Sequence, residues 1–101
     1  MAKKKVIIVG AGPGGLTAGM ILQHRGFDVT IFEKEPVVGG RNAPLSIDGY
    51  TFDIGPTFLM MYFILQEMFN ETGRKVEEYF EVKKLDPMYR LKFYENELAV
   101  S

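Results

Sequence analysis

The chain has no cysteine and no tryptophan, and its one histidine is His24. The missing thiols exclude disulfides, thiol catalysis and thiolate metal sites, and they fit a reducing compartment. His24 lies on a polar stretch of a helical segment and reads as solvated. No metal constellation and no nucleophile–base pair can be assembled, so the metal set is empty and no catalytic residue is assigned. Neither sign of charge is in excess: 12 Lys and Arg against 13 Asp and Glu leave a net charge of -1. Lys3-Lys4-Lys5 is the only basic cluster; it precedes a strand-like run and reads as a solvated end, not as a nucleic-acid footprint. Long apolar runs are absent too. The longest, Phe58 to Leu65, has eight residues, far too few to span a bilayer. The apolar segment near the N-terminus is too short for a secretory signal and runs straight into a glycine loop. There is no internal repeat, low-complexity segment or linker. With 47% apolar residues in 101, the chain suffices for one small domain with a marginal core.

What is abundant is glycine, and it is concentrated where it has a purpose. Val6-Ile7-Ile8-Val9 is a short β-branched run of the kind buried on both faces of a parallel sheet. Gly10-Ala11-Gly12-Pro13-Gly14-Gly15 follows at once, with G-x-G-x-x-G spacing at Gly10, Gly12 and Gly15. In such a loop the first glycine allows a sharp turn out of the strand. The second lets the backbone approach a pyrophosphate, and the third lets the next helix pack close. Pro13 pre-sets a helical φ, and the free N–H groups at that helix start favour an anion. The spacing predicts a helix over 13–25, stopped by Gly26, then a strand over 28–32. Glu33 at the strand tip lies eighteen residues beyond Gly15, near the offset of the acid that accepts hydrogen bonds from a ribose. A lone glycine motif would be weak; here strand, helix, second strand and acid agree. The blander reading, glycines serving packing alone, leaves Glu33 and the Gly39-Gly40-Arg41 triplet without a purpose. That triplet offers exposed amides beside a fixed cation, a suitable second contact for a pyrophosphate.

Further on, Leu45-Ser46-Ile47 and Tyr50-Thr51-Phe52 flank Asp48-Gly49, a two-residue hairpin signal of type I′. Gly55 in the following loop either lets the backbone lie against a flat ligand or simply turns the chain. Phe58 to Glu71 reads as a second helix with Gly73 just past its end. Its methionine and aromatic stripe reads as core or as an interface with another domain, with a surface for a lipid-like substrate as the alternative. Lys75 to Tyr79 reads as one more helical turn. Phe80–Leu85 and Met88–Tyr94 read as strands, and Glu95 to Ser101 as part of a hairpin. No third βα crossover follows Glu33, so the chain is expected to be the N-terminal piece of a longer protein.

The extended pattern of Gly10-x-Gly12-x-x-Gly15-Leu16, Gly26, Glu33 and Gly39-Gly40-Arg41 resembles the FAD-binding N-terminus of the flavin amine oxidase and carotenoid desaturase superfamily. Residues 48–57, Asp-Gly-Tyr-Thr-Phe-Asp-Ile-Gly-Pro-Thr, are similar to the bacterial and archaeal phytoene desaturase type. So are the helix from Leu65 to Gly73 and the segment Leu85-Asp86-Pro87-Met88-Tyr89-Arg90-Leu91. Two departures occur: Gly19 replaces an alanine usual on the first helix, and Tyr62 stands where relatives often have proline.

The resemblance implies an α/β fold: a Rossmann-like βαβ FAD-binding unit over about residues 1–57, then the start of the substrate-domain elements over about 58–101. It implies FAD as cofactor, with a binding set of Gly10, Ala11, Gly12, Pro13, Gly14, Gly15, Glu33, Lys34, Gly40, Arg41, Gly55, Pro56 and Thr57. The glycines belong at the pyrophosphate and Glu33 at the adenosine ribose. Gly40-Arg41 belongs at the pyrophosphate and flavin side, and Gly55-Pro56-Thr57 near the isoalloxazine ring. The implied parent is an oxidoreductase of carotenoid biosynthesis that dehydrogenates a long isoprenoid, cytoplasmic with a peripheral membrane contact. The fragment alone is then expected to be inactive. The alternatives are another oxidoreductase of the superfamily, of the amine, porphyrinogen or retinoid/isoprenoid saturase type and so including reduction in the reverse direction, and a stand-alone nucleotide-binding module.

Overall fold

The computed structural model describes residues 2–101. Strand β1 (Lys5–Val9), helix α1 (Pro13–His24) and strand β2 (Asp28–Phe32) form the expected βαβ unit. The strands pair in parallel from Lys5↔Asp28 to Val9↔Phe32. Residues alternate along each strand. Val6, Ile8, Val29 and Ile31 are half-buried on one face, while Ile7, Val9, Thr30 and Phe32 stand exposed on the other. Helix α1 covers the first face. Gly19 is buried there, and a Cβ at that position would lie 2.8 Å from Ile31 Cδ1.

Both helices end by the same device. In α1, Gly26 takes φ 96°, its N–H donates to the Gln23 carbonyl, and the Phe27 N–H donates to that of Leu22. In α2 (Tyr62–Glu71), Gly73 takes φ 72°, its N–H donates to Asn70, and the Arg74 N–H donates to Phe69. This is the Schellman arrangement, which satisfies two of the carbonyls a helix end leaves over.

The remaining strands form two hairpins. β3 (Pro44–Ile47) pairs with β4 (Tyr50–Asp53) around Asp48-Gly49, whose φ values of 50° and 81° are those of the expected I′ turn. β5 (Tyr89–Phe93) pairs with β6 (Asn96–Val100) around Tyr94-Glu95. Among the described residues there are thus three separate two-stranded sheets.

Two expected elements differ. Helix α2 begins at Tyr62, four residues after Phe58. Met61 holds φ 52°, a left-handed conformation that cannot continue a helix backwards, so Phe58–Met61 runs outside it. Phe80–Leu85 is not a strand: its composition suits one, but among the described residues no strand pairs with it, and the Phe80 N–H donates instead to the Val76 carbonyl of the preceding turn. The turn expected near residues 75–79 is a short 3-10 turn, Val76–Glu78.

The molecule is elongated, 69 × 32 × 20 Å, with a radius of gyration of 18.1 Å against about 13 Å for a globular domain of this length. Ala11 and Val76 are the fully buried apolar side chains among the described residues. Each sheet keeps an apolar face open, and Phe58–Met61 and much of α2 are exposed as well.

Candidate dinucleotide site

The site is built where β1, α1, β2 and the segment after β2 converge. Leaving β1, the chain turns at Gly10 with φ 103°, and the Gly10 N–H donates to the Phe32 carbonyl at 2.7 Å. Ala11, buried to 2% exposure, is held from both sides. Its N–H donates to Glu33 Oε1 at 2.8 Å, and its carbonyl accepts the Gly39 N–H at 2.7 Å. The loop is therefore tied to the end of β2 and to the Gly39-Gly40-Arg41 segment at a single residue.

The glycines of the loop divide into two kinds. A Cβ on Gly15 would sit 2.0 Å from the Gly10 carbonyl oxygen and 3.4 Å from Ile8 Cγ2, so the fold itself requires glycine there. Gly12 and Gly14 are different. Gly12 is extended, φ -78° and ψ -179°, a conformation open to any residue. A Cβ on Gly12 would find only the Gly40 Cα, at 4.0 Å, and one on Gly14 would find nothing within that distance. Packing within the chain gives no reason for these two positions to be bare. Their bareness leaves room above the helix N-terminus for something else.

That N-terminus also leaves donors available. The Leu16 N–H reaches the Gly12 carbonyl at 3.0 Å. Among the described residues, the N–H groups of Gly12, Gly14 and Gly15 have no acceptor. Pro13, at the first helical position, has no N–H to satisfy. The helix dipole adds partial positive charge at this point, and no acidic side chain occupies the first turn of α1.

Glu33 is half-buried at the tip of β2. Its Oε2 accepts the Glu35 N–H at 3.0 Å, while Oε1 accepts that of Ala11. The Glu35 and Ala11 bonds hold its carboxyl below the usual carboxylate range; partial desolvation opposes them, and Lys34 assists. The group is thus an anion at neutral pH with lone pairs left for a hydroxyl donor.

Gly39 at φ 119° and Gly40 at φ 58° lead into a 3-10 turn, Gly40–Asn42. A Cβ on Gly40 would meet the Gly12 Cα at 3.1 Å, so the two glycine segments lie against each other. Arg41 is exposed, and among the described residues no carboxylate pairs with its guanidinium. A Cβ on Gly55 would fall 2.2 Å from the Arg41 carbonyl oxygen. This close approach gives Gly55 a packing reason and brings its loop beside Arg41. Pro56 and Thr57 are exposed, and Thr57 lines a separate groove of about 640 Å³ with Phe58, Tyr62 and Phe80–Leu85. Lys34 is exposed in the bend after Glu33.

The structure thus gathers Gly10 to Gly15, Glu33, Gly40 and Arg41 in one place, with Gly55 at its margin. Sequence reasoning missed the part played by Gly39, whose N–H closes the link to Ala11. It also missed an apolar cavity of about 340 Å³ between α1 and α2, lined by residues including Leu16, Met20, Leu65 and Met68. The spacing of Leu16 and Met20 on one helix face was the signal available for it.

A bare loop over open helix amides, an acid at the tip of the adjacent strand and an unpaired arginine are the requirements of a dinucleotide phosphate and ribose. Comparison with known families agrees. Residues 8–72 match the NAD(P)-binding Rossmann-like domain. The chain belongs to that family. Among curated proteins it is 54% identical over 97 residues to a 4,4'-diapophytoene desaturase (4,4'-diapolycopene-forming) of Methylomonas sp, covering 96% of this chain and 19% of that protein. It is 44% identical over 90 residues to a zeta-carotene-forming phytoene desaturase of Myxococcus xanthus, covering 89% of this chain and 17% of the relative. Among solved structures, a CLA-producing fatty acid isomerase from P. acnes superposes with a TM-score of 0.54 and 38% identity, over 73% of this chain and 18% of that one. The chain spans less than a fifth of the length of each of these proteins.

Proposed function

We propose that this chain supplies the phosphate- and adenosine-ribose-binding part of an FAD site. The enzyme so built dehydrogenates a long isoprenoid in carotenoid biosynthesis. The observation that carries the dinucleotide reading is the pair Gly12 and Gly14: two bare positions that the chain's own packing does not need, set over unpaired N–H groups. The choice of FAD and of an isoprenoid rests on the similarity to the two carotenoid desaturases.

The residues present fit such a group. The N–H groups of Gly12, Gly14 and Gly15 would hold the pyrophosphate, with Arg41 as counter-charge from the Gly39-Gly40-Arg41 side. Glu33 would accept from the ribose hydroxyls. Gly55-Pro56-Thr57, continuing from Arg41, would lie toward the flavin ring. When bound, a flavin supplies a hydride acceptor, and that chemistry is the cofactor's own. The chain's part is to bind and orient. The exposed apolar stretch Phe58–Met61 with Phe63 and Ile64 supports an apolar partner, either the isoprenoid or a membrane surface touched from a cytoplasmic position. No described helix is long and apolar enough to cross a membrane.

Equilibrium dialysis of the chain against FAD and against NAD tests the cofactor. Tighter retention of FAD is expected; tighter retention of NAD would overturn the flavin assignment. For the enzyme containing this chain, incubation with an unconjugated isoprenoid is expected to produce visible absorbance as the conjugated system lengthens. An unchanged spectrum from the flavin-loaded enzyme would refute the substrate class. The fatty acid isomerase similarity favours a second reading for the enzyme, in which the same nucleotide-binding unit serves isomerisation of an acyl chain.

A further inference from the structure

We infer that Glu33 is a positioning residue for the pyrophosphate loop, acting through the backbone of Ala11 on Gly39, in addition to any contact it makes with a ribose. The inference rests on the dinucleotide reading for what the loop is held to do. The coupling itself is independent of any ligand.

Ala11 is the point where the two glycine segments could separate. Its side chain is buried, and both polar atoms of its backbone are bonded to residues distant in sequence. Glu33 Oε1 takes the N–H at 2.8 Å, and the carbonyl takes the Gly39 N–H at 2.7 Å. Glu33 is itself fixed, because Oε2 takes the Glu35 N–H at 3.0 Å. The carboxylate therefore joins the end of β2 to the loop, and the loop to the Gly39-Gly40-Arg41 segment. Rotation of the Ala11–Gly12 peptide would break the bond to Gly39 and turn the Gly12 N–H of the same planar unit with it, and the Glu33 bond to the preceding Gly10–Ala11 peptide resists that rotation from the other side of the Ala11 Cα. It would also move Gly12 relative to Gly40, whose Cα atoms are already in close approach. A charged acceptor suits the task, since bonds to carboxylate are stronger than bonds to a neutral group. Lys34 is the cation whose field acts on Glu33.

The consequence is specific. Gly39 has no hydrogen bond to Glu33, and the hydrogen-bonded path from the carboxylate to the Gly39 amide runs through Ala11, beside the covalent path that starts at the Glu35 N–H. The test is a pH titration of the ligand-free chain followed by amide NMR. The Ala11, Gly39 and Glu35 amides are expected to titrate together with the Glu33 carboxyl, with one midpoint below the ordinary carboxylate value. In Glu33→Gln, one oxygen acceptor remains. Ala11 and Gly39 are expected to stay protected from hydrogen exchange while their titration disappears. In Glu33→Ala, both amides are expected to exchange at least about tenfold faster, while the Val29 and Ile31 amides of the sheet keep their protection. A Gly39 amide that ignores the Glu33 titration in the native chain would overturn the inference, even if the alanine variant does not fold. So would a Gly39 amide still titrating in Glu33→Gln. Because no dinucleotide is present, failure of the chain to bind FAD would count against the proposed function and leave this result as it stands.

Discussion

The division between Gly12 and Gly15 makes opposite demands on two substitutions of the same size. In Gly15→Ala the new methyl would start 2.0 Å from the Gly10 carbonyl oxygen and 3.1 Å from its carbon. Ordinary contact requires a retreat of about 1.5 Å, and the obstacle is backbone, which cannot rotate away. Overpacking typically costs about 1–3 kcal/mol, and a rigid obstacle puts this case at about 3. In Gly12→Ala the methyl meets nothing closer than 4.0 Å, in a backbone conformation any residue adopts. Alanine is the poorer N-cap by about 1 kcal/mol, but it restricts the unfolded chain by about 0.4–1 kcal/mol, so the net change is within about 1 kcal/mol. The same methyl occupies the space left for a pyrophosphate, and FAD affinity is expected to fall about 10- to 100-fold. Urea unfolding followed by circular dichroism gives the first quantity, and quenching of flavin fluorescence gives the second. A Gly12→Ala variant that loses as much stability as Gly15→Ala, or that binds FAD as tightly as the parent chain, would show that the two glycines do not divide in this way.

Three other outcomes follow from the packing and the charges. Gly19→Ala should leave stability within about 1 kcal/mol of the parent in urea unfolding. The helix-propensity gain of about 1 kcal/mol is offset by moving Ile31 Cδ1, the flexible end of its side chain, at about 0.5–1.5 kcal/mol. A loss above 2 kcal/mol would show that Ile31 cannot give way. The Arg25–Glu71 pair joins the ends of the two helices, but both side chains are largely exposed, so a double-mutant cycle should return a coupling below about 1 kcal/mol that shrinks with salt. A larger coupling would contradict the solvent screening assumed here. Acid should destabilise the fold through Glu33, and through Glu77, whose carboxyl is lowered by its own backbone N–H and by Gln66, with desolvation opposing and Tyr62 and Lys75 assisting. Folded values below the unfolded ones give stability that is present above about pH 4.3 and lost as pH falls through the folded values. A thermal midpoint that is flat from pH 6 to pH 3 would refute this.

Much of the nucleotide-binding unit was legible because it is encoded locally. The run Val6–Val9, the glycine spacing, the Gly26 stop and the acid at residue 33 each specify short-range geometry, and they fall in register over some thirty residues. The Asp48-Gly49 turn was legible for the same reason: its φ values suit those residue types. The start of α2 was not, because Phe58–Leu65 is apolar throughout and periodicity cannot place a boundary inside such a run. The left-handed Met61 decides it. Phe80–Leu85 has the composition of a strand, but a strand exists only by pairing, and composition does not reveal whether a partner is near. In the site, the roles of Gly12 and Gly15 were stated alike from the motif, and only the surrounding atoms separate a glycine the fold needs from one it leaves bare. The Glu33–Ala11–Gly39 link joins residues 22 and 28 positions apart through a backbone carbonyl and two N–H groups, which side-chain chemistry does not announce.

On the proposed reading, the bare glycine loop, Glu33 and the Gly39-Gly40-Arg41 segment form one flavin-nucleotide site. The most direct measurement is an amide-shift titration of the chain with FAD and, separately, with NAD. Saturable shifts confined to Gly10–Gly15, Glu33 and Gly39–Arg41 are expected, at lower concentrations of FAD than of NAD. Shifts located elsewhere, a preference for NAD, or no shifts with either dinucleotide would contradict that reading.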